Sequence, residues 1–387
     1  MRRLWRFSRW TDMIASVYIH IPYCVRKCAY CDFESYAGRL ADADEYVARV
    51  LQEMERARTE YGNLGVPTLY IGGGTPSLLS PDQLSRLLDG AARFFSLDAN
   101  AEISMEANPG TVDAAKLRAF RSAGVNRISF GAQASQTRLL ALLGRVHTWP
   151  EAVLAVDDAF EAGISNINLD LMYALPGQTA EDFAETLDAA LSLPASHLSC
   201  YSLILEEGTP LTRRVEAGTL PEPRDEDSVR MQRLALEKTR AAGMERYEIS
   251  NYARPGLECR HNLVYWERGN YIGFGCAAHS MMNDERFFNP DYRAYLSGAP
   301  QSEREPVRGT EKMEETLLLG LRMTKGISLA AFERAYGKAC ADALRREVHP
   351  LANGGLARLT GDRFALTAEG MDVQNAVVVR LVTALER

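Results

Sequence analysis

The chain has 387 residues, of which 46% are hydrophobic and 25% charged, with a formal net charge of −7. That composition fits an ordinary globular chain with room for one large domain and a smaller one, and the negative charge argues against a broad nucleic-acid-binding surface. No apolar run approaches the ~20 residues of a membrane span, and seven cysteines, mostly scattered, suit a reducing cytosol better than a disulfide scaffold.

The opening "MRRLWRFSRW" is rich in arginine and tryptophan but lacks the apolar core of a secretory signal. Its sharper reading is a peripheral contact with a membrane surface. The plainer one is an upstream start, since Met13 stands directly before "IASVYIHIP". Residues 1–15 are therefore set aside as an extension.

From there β-rich runs alternate with helical patterns. "VYIHIP" (17–22) leads to a helix over 42–61, and "TLYIGGG" (68–74) to one opening at the Ser80-Pro81 cap and ending near Phe95. "EISMEAN" (102–108) is followed by a helix over 111–123, and "RISFGAQ" (127–133) by one over 149–162. "INLDLMYAL" (167–175) precedes a helix over 179–193, and "HLSCYSLIL" (197–205) one over 225–242. Six strand-then-helix units imply parallel strands with helical crossovers, an α/β class. Six is two short of a closed (β/α)8 barrel, so a partial (β/α)6 barrel is expected, with its chemistry at the C-terminal ends of the strands.

The polar stretch 298–310 reads as a linker. It divides a barrel unit over 16–297 from a module over 311–387, where helical stretches and "LARLTGDRFALT" suggest a winged-helix-like fold. From 309 to 387 there are eleven Lys/Arg against ten Asp/Glu. That balance lacks the basic stripe of a DNA binder, so packing or partner docking is expected of the module.

"CVRKCAYC" (24–31) holds three cysteines, Cys24, Cys28 and Cys31. Three thiolates can hold three irons of a 4Fe–4S cube and leave the fourth open to another ligand. A zinc site completed by His20 or Cys259 is the plainer alternative. "GGGTP" (72–76) follows the second predicted strand, and glycine there would let the backbone approach a small ligand.

Together these motifs resemble the radical S-adenosylmethionine (SAM) enzymes, in which the open iron chelates the amino and carboxylate groups of SAM. The blocks "YIHIPYCVRKCAYCDF", "GGGTPS", "MEANP", "SFGAQ", "LGRVH", "NLDLMYALPGQT" and "RHNLVYW" are similar to the coproporphyrinogen dehydrogenase-like branch, along nearly the whole chain. The partial barrel is also that family's fold. The resemblance implies that Tyr18 and Tyr30 lie beside cluster and SAM, and that Gly74 and Thr75 touch the SAM amino-acid end. It further implies SAM contacts from Glu106, Gln133, Arg145 and Asp170. Carboxylates suit an ammonium or ribose hydroxyls, and an arginine suits a carboxylate.

Two features choose within the branch. The coproporphyrinogen dehydrogenases carry another cysteine two residues past the third, where this chain has Phe33. The stretch 261–266 (HNLVYW) resembles the HNxxYW motif of the branch's heme chaperones. That implies heme contacts from His261, Asn262, Tyr265 and Trp266, with His279 and Cys276 as rival iron ligands. The expected function is heme binding and transfer to acceptor hemoproteins, membrane-bound respiratory enzymes included, with a 4Fe–4S cluster and SAM as cofactors. The alternatives are oxygen-independent coproporphyrinogen decarboxylation, a radical SAM methyltransferase, and a zinc-stabilised scaffold.

Overall fold

The computed structural model describes residues 13–385, so most of the 1–15 extension and its reading as a membrane contact lie outside the described residues. Six parallel strands, each followed by helix, build the main body. They are β1 (Ser16–Ile21), α1 (Ala43–Tyr61), β2 (Leu64–Gly73), α2 (Pro81–Phe94), β3 (Ser96–Ala107), α3 (Ala114–Ala123) and β4 (Arg127–Gln133). After them come α4 (Thr137–Leu143), α5 (Trp149–Glu161), β5 (Asn166–Tyr173), α6 (Ala180–Leu191), β6 (His197–Ser202) and α7 (Asp225–Ala241). Neighbours in sequence are neighbours in the sheet from β1 to β6, all parallel, which makes the partial barrel.

Local chemistry fixes these units. Ser80 caps α2 reciprocally with Gln83 and places Pro81 where a missing N–H costs nothing. The helices pack apolar faces on one side of the sheet, against Val17, Ile19, Leu69, Ile71 and Ile128, all fully buried. The other side, the barrel's interior, carries polar residues at every second position, large ones such as Arg127 and His197 among them. There Asn168 donates to Ser129 Oγ (2.6 Å) and accepts from Ser199 (3.1 Å), and His197 sits between Asn168 and the Tyr247 hydroxyl.

The sheet continues beyond the barrel at both edges. β7 (Asn251–Ala253) pairs antiparallel with β6. After helix α8 (Arg260–Trp266), β8 (Tyr271–Phe274) joins β1 in parallel, and β9 (His279–Met282) and β10 (Glu285–Phe288) extend it as an antiparallel meander. This meander carries no period-2 signal in the sequence.

A second core, built around Leu317, Phe332, Leu344, Phe364 and Leu381, lies in the C-terminal region. It joins α9 (Gly309–Gly320), α10 (Leu329–Tyr336), α11 (Lys338–Asn353), the hairpin β11 (Ala357–Thr360) and β12 (Arg363–Leu366), and α12 (Gln374–Leu385). Ion pairs fasten α9 to the meander: Arg268 to Asp284 and Glu315, Arg286 to Glu315, and Lys312 to Asp284.

Candidate cofactor and ligand site

The three cysteines occupy one loop between β1 and α1, each half-buried and unpaired. That loop is stapled to the end of α4, where Gly144 takes a left-handed turn (φ 74°). The Ala29 amide donates to Leu143 O (2.9 Å), the Arg26 guanidinium to Gly144 O (2.7 Å), and the Leu211 amide to Ala29 O (2.8 Å). At its far side, His20 Nε2 bonds Glu34 O (2.8 Å). Among the described residues no three His, Cys, Asp or Glu side chains converge as a single ion requires. An iron–sulfur cube, whose irons take one thiolate each, needs the wider spread that a loop of this kind offers.

Two donors already face the thiols. Arg145 reaches Cys28 Sγ at 3.4 Å, and the Thr75 hydroxyl reaches Cys24 Sγ at 3.6 Å. Arg145 also donates to Gly131 O (2.7 Å) and to Asn108 Oδ1, while Asn108 donates to Thr75 (2.9 Å). A positive, hydrogen-bonding wall of this kind suits thiolates and the net negative cube they hold. Tyr30 lies against the same group, close to Arg145, Cys28, Cys31 and Asp170.

The glycines of "GGGTP" are required by the protein itself. A Cβ on Gly73 (φ 112°) would lie 2.5 Å from the His20 ring, and one on Gly74 would lie 2.7 Å from Tyr23 O. The Gly74 amide is spent on Ile21 O (2.8 Å). The triplet thus clamps β2 against the cysteine loop, and approach to a ligand is not needed to explain it.

The strand ends supply the remaining residues. Glu106 accepts from the Tyr70 hydroxyl (2.9 Å) and the Gly73 amide (3.0 Å). Burial, then the negative charge of nearby Asp170, pushes the Glu106 carboxyl up to about 7. Asp170 accepts from Ser129 (3.0 Å) and Asn168 (2.8 Å), and burial outweighs those bonds to raise its carboxyl too. Gln133 takes a left-handed φ of 65° at a bulge in β4, which turns its amide toward Gly131 and Arg145. Tyr18 donates to or accepts from His20 Nδ1 (3.0 Å) and stacks on Tyr70. Tyr18, Tyr30, Gly74, Thr75, Glu106, Gln133, Arg145 and Asp170 therefore gather at one end of the barrel. Asn108, Ser129, Asn168 and Tyr70 belong with them, and only their period-2 position on interior faces could have pointed to them.

The HNxxYW segment divides. Glu102 accepts from the amides of Arg260 and His261 (both 3.0 Å) and so caps α8 at the strand-start end of the barrel. There His261 is enclosed, with Nδ1 on Thr68 Oγ1 (2.8 Å), Nε2 on the Tyr265 hydroxyl (2.9 Å) and its ring stacked on Tyr70. Burial, then Arg127, holds this imidazole down at about 3. With both nitrogens hydrogen-bonded, His261 does not line the cavity, where the motif led one to expect a heme contact. Asn262 likewise forms no part of the cavity wall, and Cys276 is buried beneath the Tyr46 hydroxyl (3.5 Å). Tyr265 and Trp266, at the end of α8, do reach a cavity.

That cavity, about 720 Å³, runs outward from the barrel mouth. Tyr18, His20 and Glu106 line its inner end, Phe33 its entrance, and Tyr271, His279, Met281 and Arg286 of the meander one wall. Trp266, Leu318 and Leu319 form the opposite wall, so α9 of the C-terminal region helps to enclose it.

Comparison with known proteins gives the site its context. The Radical SAM superfamily model matches residues 18–190, and that of the HemN C-terminal domain matches residues 307–373. The chain is 38% identical over 369 residues to the heme chaperone HemW of Bacillus subtilis, covering 94% of this chain and 97% of that protein. It is 37% identical over 372 residues to the heme chaperone HemW of Escherichia coli, with 94% and 97% covered. Among solved structures, coproporphyrinogen III oxidase (HemN) from Escherichia coli superposes with a TM-score of 0.82 over 98% of this chain and 91% of that one. At 23% identity that likeness speaks for the fold alone.

Proposed function

The chain belongs to the HemW family of the radical SAM superfamily, and we propose that it works as a heme chaperone, binding heme and passing it to acceptor hemoproteins. The observation that carries this reading is the similarity to heme chaperones along nearly the whole chain, cysteine loop, barrel and C-terminal region together. On this reading residues 16–297 form the barrel unit and residues 311–387 a module that walls its ligand cavity. The acceptors of choice are respiratory hemoproteins, membrane-bound ones included.

The residues present suit the superfamily's two cofactors. Cys24, Cys28 and Cys31 would hold a 4Fe–4S cluster, with Arg145 and Thr75 donating to the thiolates. Glu106, Gln133, Asp170 and Tyr18 would hold SAM, their carboxylates facing its cationic and hydroxyl groups. When bound, the cluster supplies an iron with an open position for the SAM amino and carboxylate groups and a single electron. The chain's own part is to hold these groups at the strand ends and to shelter them beneath Tyr18 and Tyr70.

Phe33 separates this reading from coproporphyrinogen decarboxylation. It is 68% exposed at the cavity entrance, where a thiol would be expected of the dehydrogenases. An apolar ring there favours contact with a porphyrin edge. The test is anaerobic reconstitution followed by hemin titration and assays of 5′-deoxyadenosine and coproporphyrinogen turnover. Stoichiometric hemin binding without decarboxylation is expected. Multiple turnovers of coproporphyrinogen would replace the chaperone reading with the enzyme one.

A further inference from the structure

We propose that heme is held in the slot between the β8–β10 meander and α9, with His279 as its axial iron ligand. This rests on the chaperone reading, and it assigns the iron to a residue outside the HNxxYW motif.

The slot is walled by the meander and by α9. In the meander Tyr271 lies opposite Met281, Met281 opposite Arg286, and His279 opposite Phe288. Cross-strand partners share a face, as do residues two apart on one strand, so all five sit on one side of the sheet. Facing them are the Trp266 ring and the Leu318 and Leu319 side chains. A volume of about 720 Å³ lies within the range that buries a large organic ligand.

The chemistry of the wall suits an iron porphyrin. Two histidines line the cavity. His20 spends both ring nitrogens, on Tyr18 and on Glu34 O. His279 is exposed, and its nitrogens have no hydrogen-bond partner among the described residues. Its ring is steadied instead by Phe288, stacked at 5.1 Å. An unspent imidazole nitrogen opening onto an aromatic slot is a ready iron ligand. A propionate has one partly exposed guanidinium at the cavity, that of Arg286. Arg286 stands at the rim, with 36% of its side chain exposed and Glu315 as its partner, whereas Arg268, 8% exposed, is spent on Asp284 and Glu315. Arg322 covers the Trp266 ring at 4.4 Å and holds that wall in place.

Tyr18 and Glu106, two of the candidate SAM residues, line the same cavity, so a porphyrin in it would lie next to them. That arrangement would let a bound cluster and SAM be sensed by the heme site.

Titration of the full-length, cluster-reconstituted chain with hemin and with iron-free protoporphyrin IX tests this. His279→Ala should weaken hemin at least tenfold and shift its Soret band, while iron-free porphyrin, which needs no axial ligand, binds within twofold of wild type. Imidazole added to His279→Gly should restore the wild-type Soret position. Leu318→Trp, at a 43% exposed position on α9, should weaken both porphyrins at least tenfold and leave the SAM-induced change in the cluster's electron paramagnetic resonance spectrum intact. An unshifted Soret band in His279→Ala, or the same loss appearing instead in Met281→Leu, overturns the assignment while the chaperone reading stands. Undiminished binding by Leu318→Trp overturns the slot. A wild-type chain that responds to SAM but binds no hemin overturns the chaperone reading itself.

Discussion

Glu106 faces the cavity with Asp170 behind it, and two carboxyls in one poorly solvated mouth cannot both ionise cheaply. The Glu106 carboxyl, at about 7, lies above the ordinary 4.5. A raised folded value means that this group's contribution to stability is complete below pH 4.5 and is lost as pH climbs through 7. The difference is worth at most about 3 kcal/mol, reduced by water that reaches the cavity. Glu106→Gln should therefore gain on wild type in urea midpoint as the cofactor-free protein is taken from pH 5.5 to 8.5. A stability difference that stays flat over that range would show that Glu106 does not titrate between pH 5.5 and 8.5 in the folded chain. Gly73 offers a second residue-scale test. With φ at 112° and the His20 ring 2.5 Å from any added Cβ, Gly73→Ala should cost on the order of 2 kcal/mol and disturb the cysteine loop that His20 pins. Denaturant unfolding together with iron content would reveal it, and an unchanged midpoint would mean that the loop yields freely.

At the scale of elements, α8 is seven residues long and depends on its partners. Glu102 takes the amides of Arg260 and His261, so Glu102→Ala strands two donors at about 1–3 kcal/mol each. The variant should unfold earlier in denaturant and also bind heme more weakly, because Tyr265 and Trp266 ride on the same helix. Loss of stability with full heme affinity would separate α8 from the cavity. The six barrel units were legible in the sequence because apolar strand runs alternate with helical patterns, several of which open at a side-chain cap such as Ser80, Asp113 or Thr179. The run "RISFGAQ" coincides with β4 residue for residue. The meander was not legible, since "YIGF", "HSMM" and "ERFF" are four-residue strands without a repeating pattern, placed by β1 from over 250 positions away. The same limit applies to His261. Its motif could be read, but its role depends on Thr68, 193 positions distant, taking one of its nitrogens. The SAM-side residues were legible as blocks, whereas the partners that hold them, Asn108 and Ser129 among them, are ordinary polar residues until the strands meet.

Across the whole molecule, the C-terminal region walls the cavity, and it is held to the barrel by ion pairs as well as by Ile249 packing on its core and the Thr324 amide donating to Tyr247 O. Arg268 is 8% exposed and shared between Glu315 and Asp284, and Glu315 also pairs with Arg286. Removing Glu315 leaves a nearly buried guanidinium with half its partners, a change of about 3 kcal/mol in comparable buried pairs. Glu315→Ala should expose the connection near residues 298–308 to protease and speed heme release, while the three-cysteine cluster keeps its full iron content. Unchanged proteolysis would show that apolar packing, and not this clasp, holds α9 in place.

The central claim is that this radical SAM chain carries heme without transforming a porphyrin. Its most direct test is transfer: the hemin-loaded, cluster-reconstituted protein is mixed with a heme-free b-type cytochrome, and the acceptor's reduced spectrum is followed beside a parallel coproporphyrinogen assay. The account predicts that the acceptor fills in proportion to the heme loaded, faster than by spontaneous dissociation into a heme scavenger, with no decarboxylated product. Heme that stays bound or leaves only at the scavenger rate, together with repeated turnover of coproporphyrinogen, would contradict it.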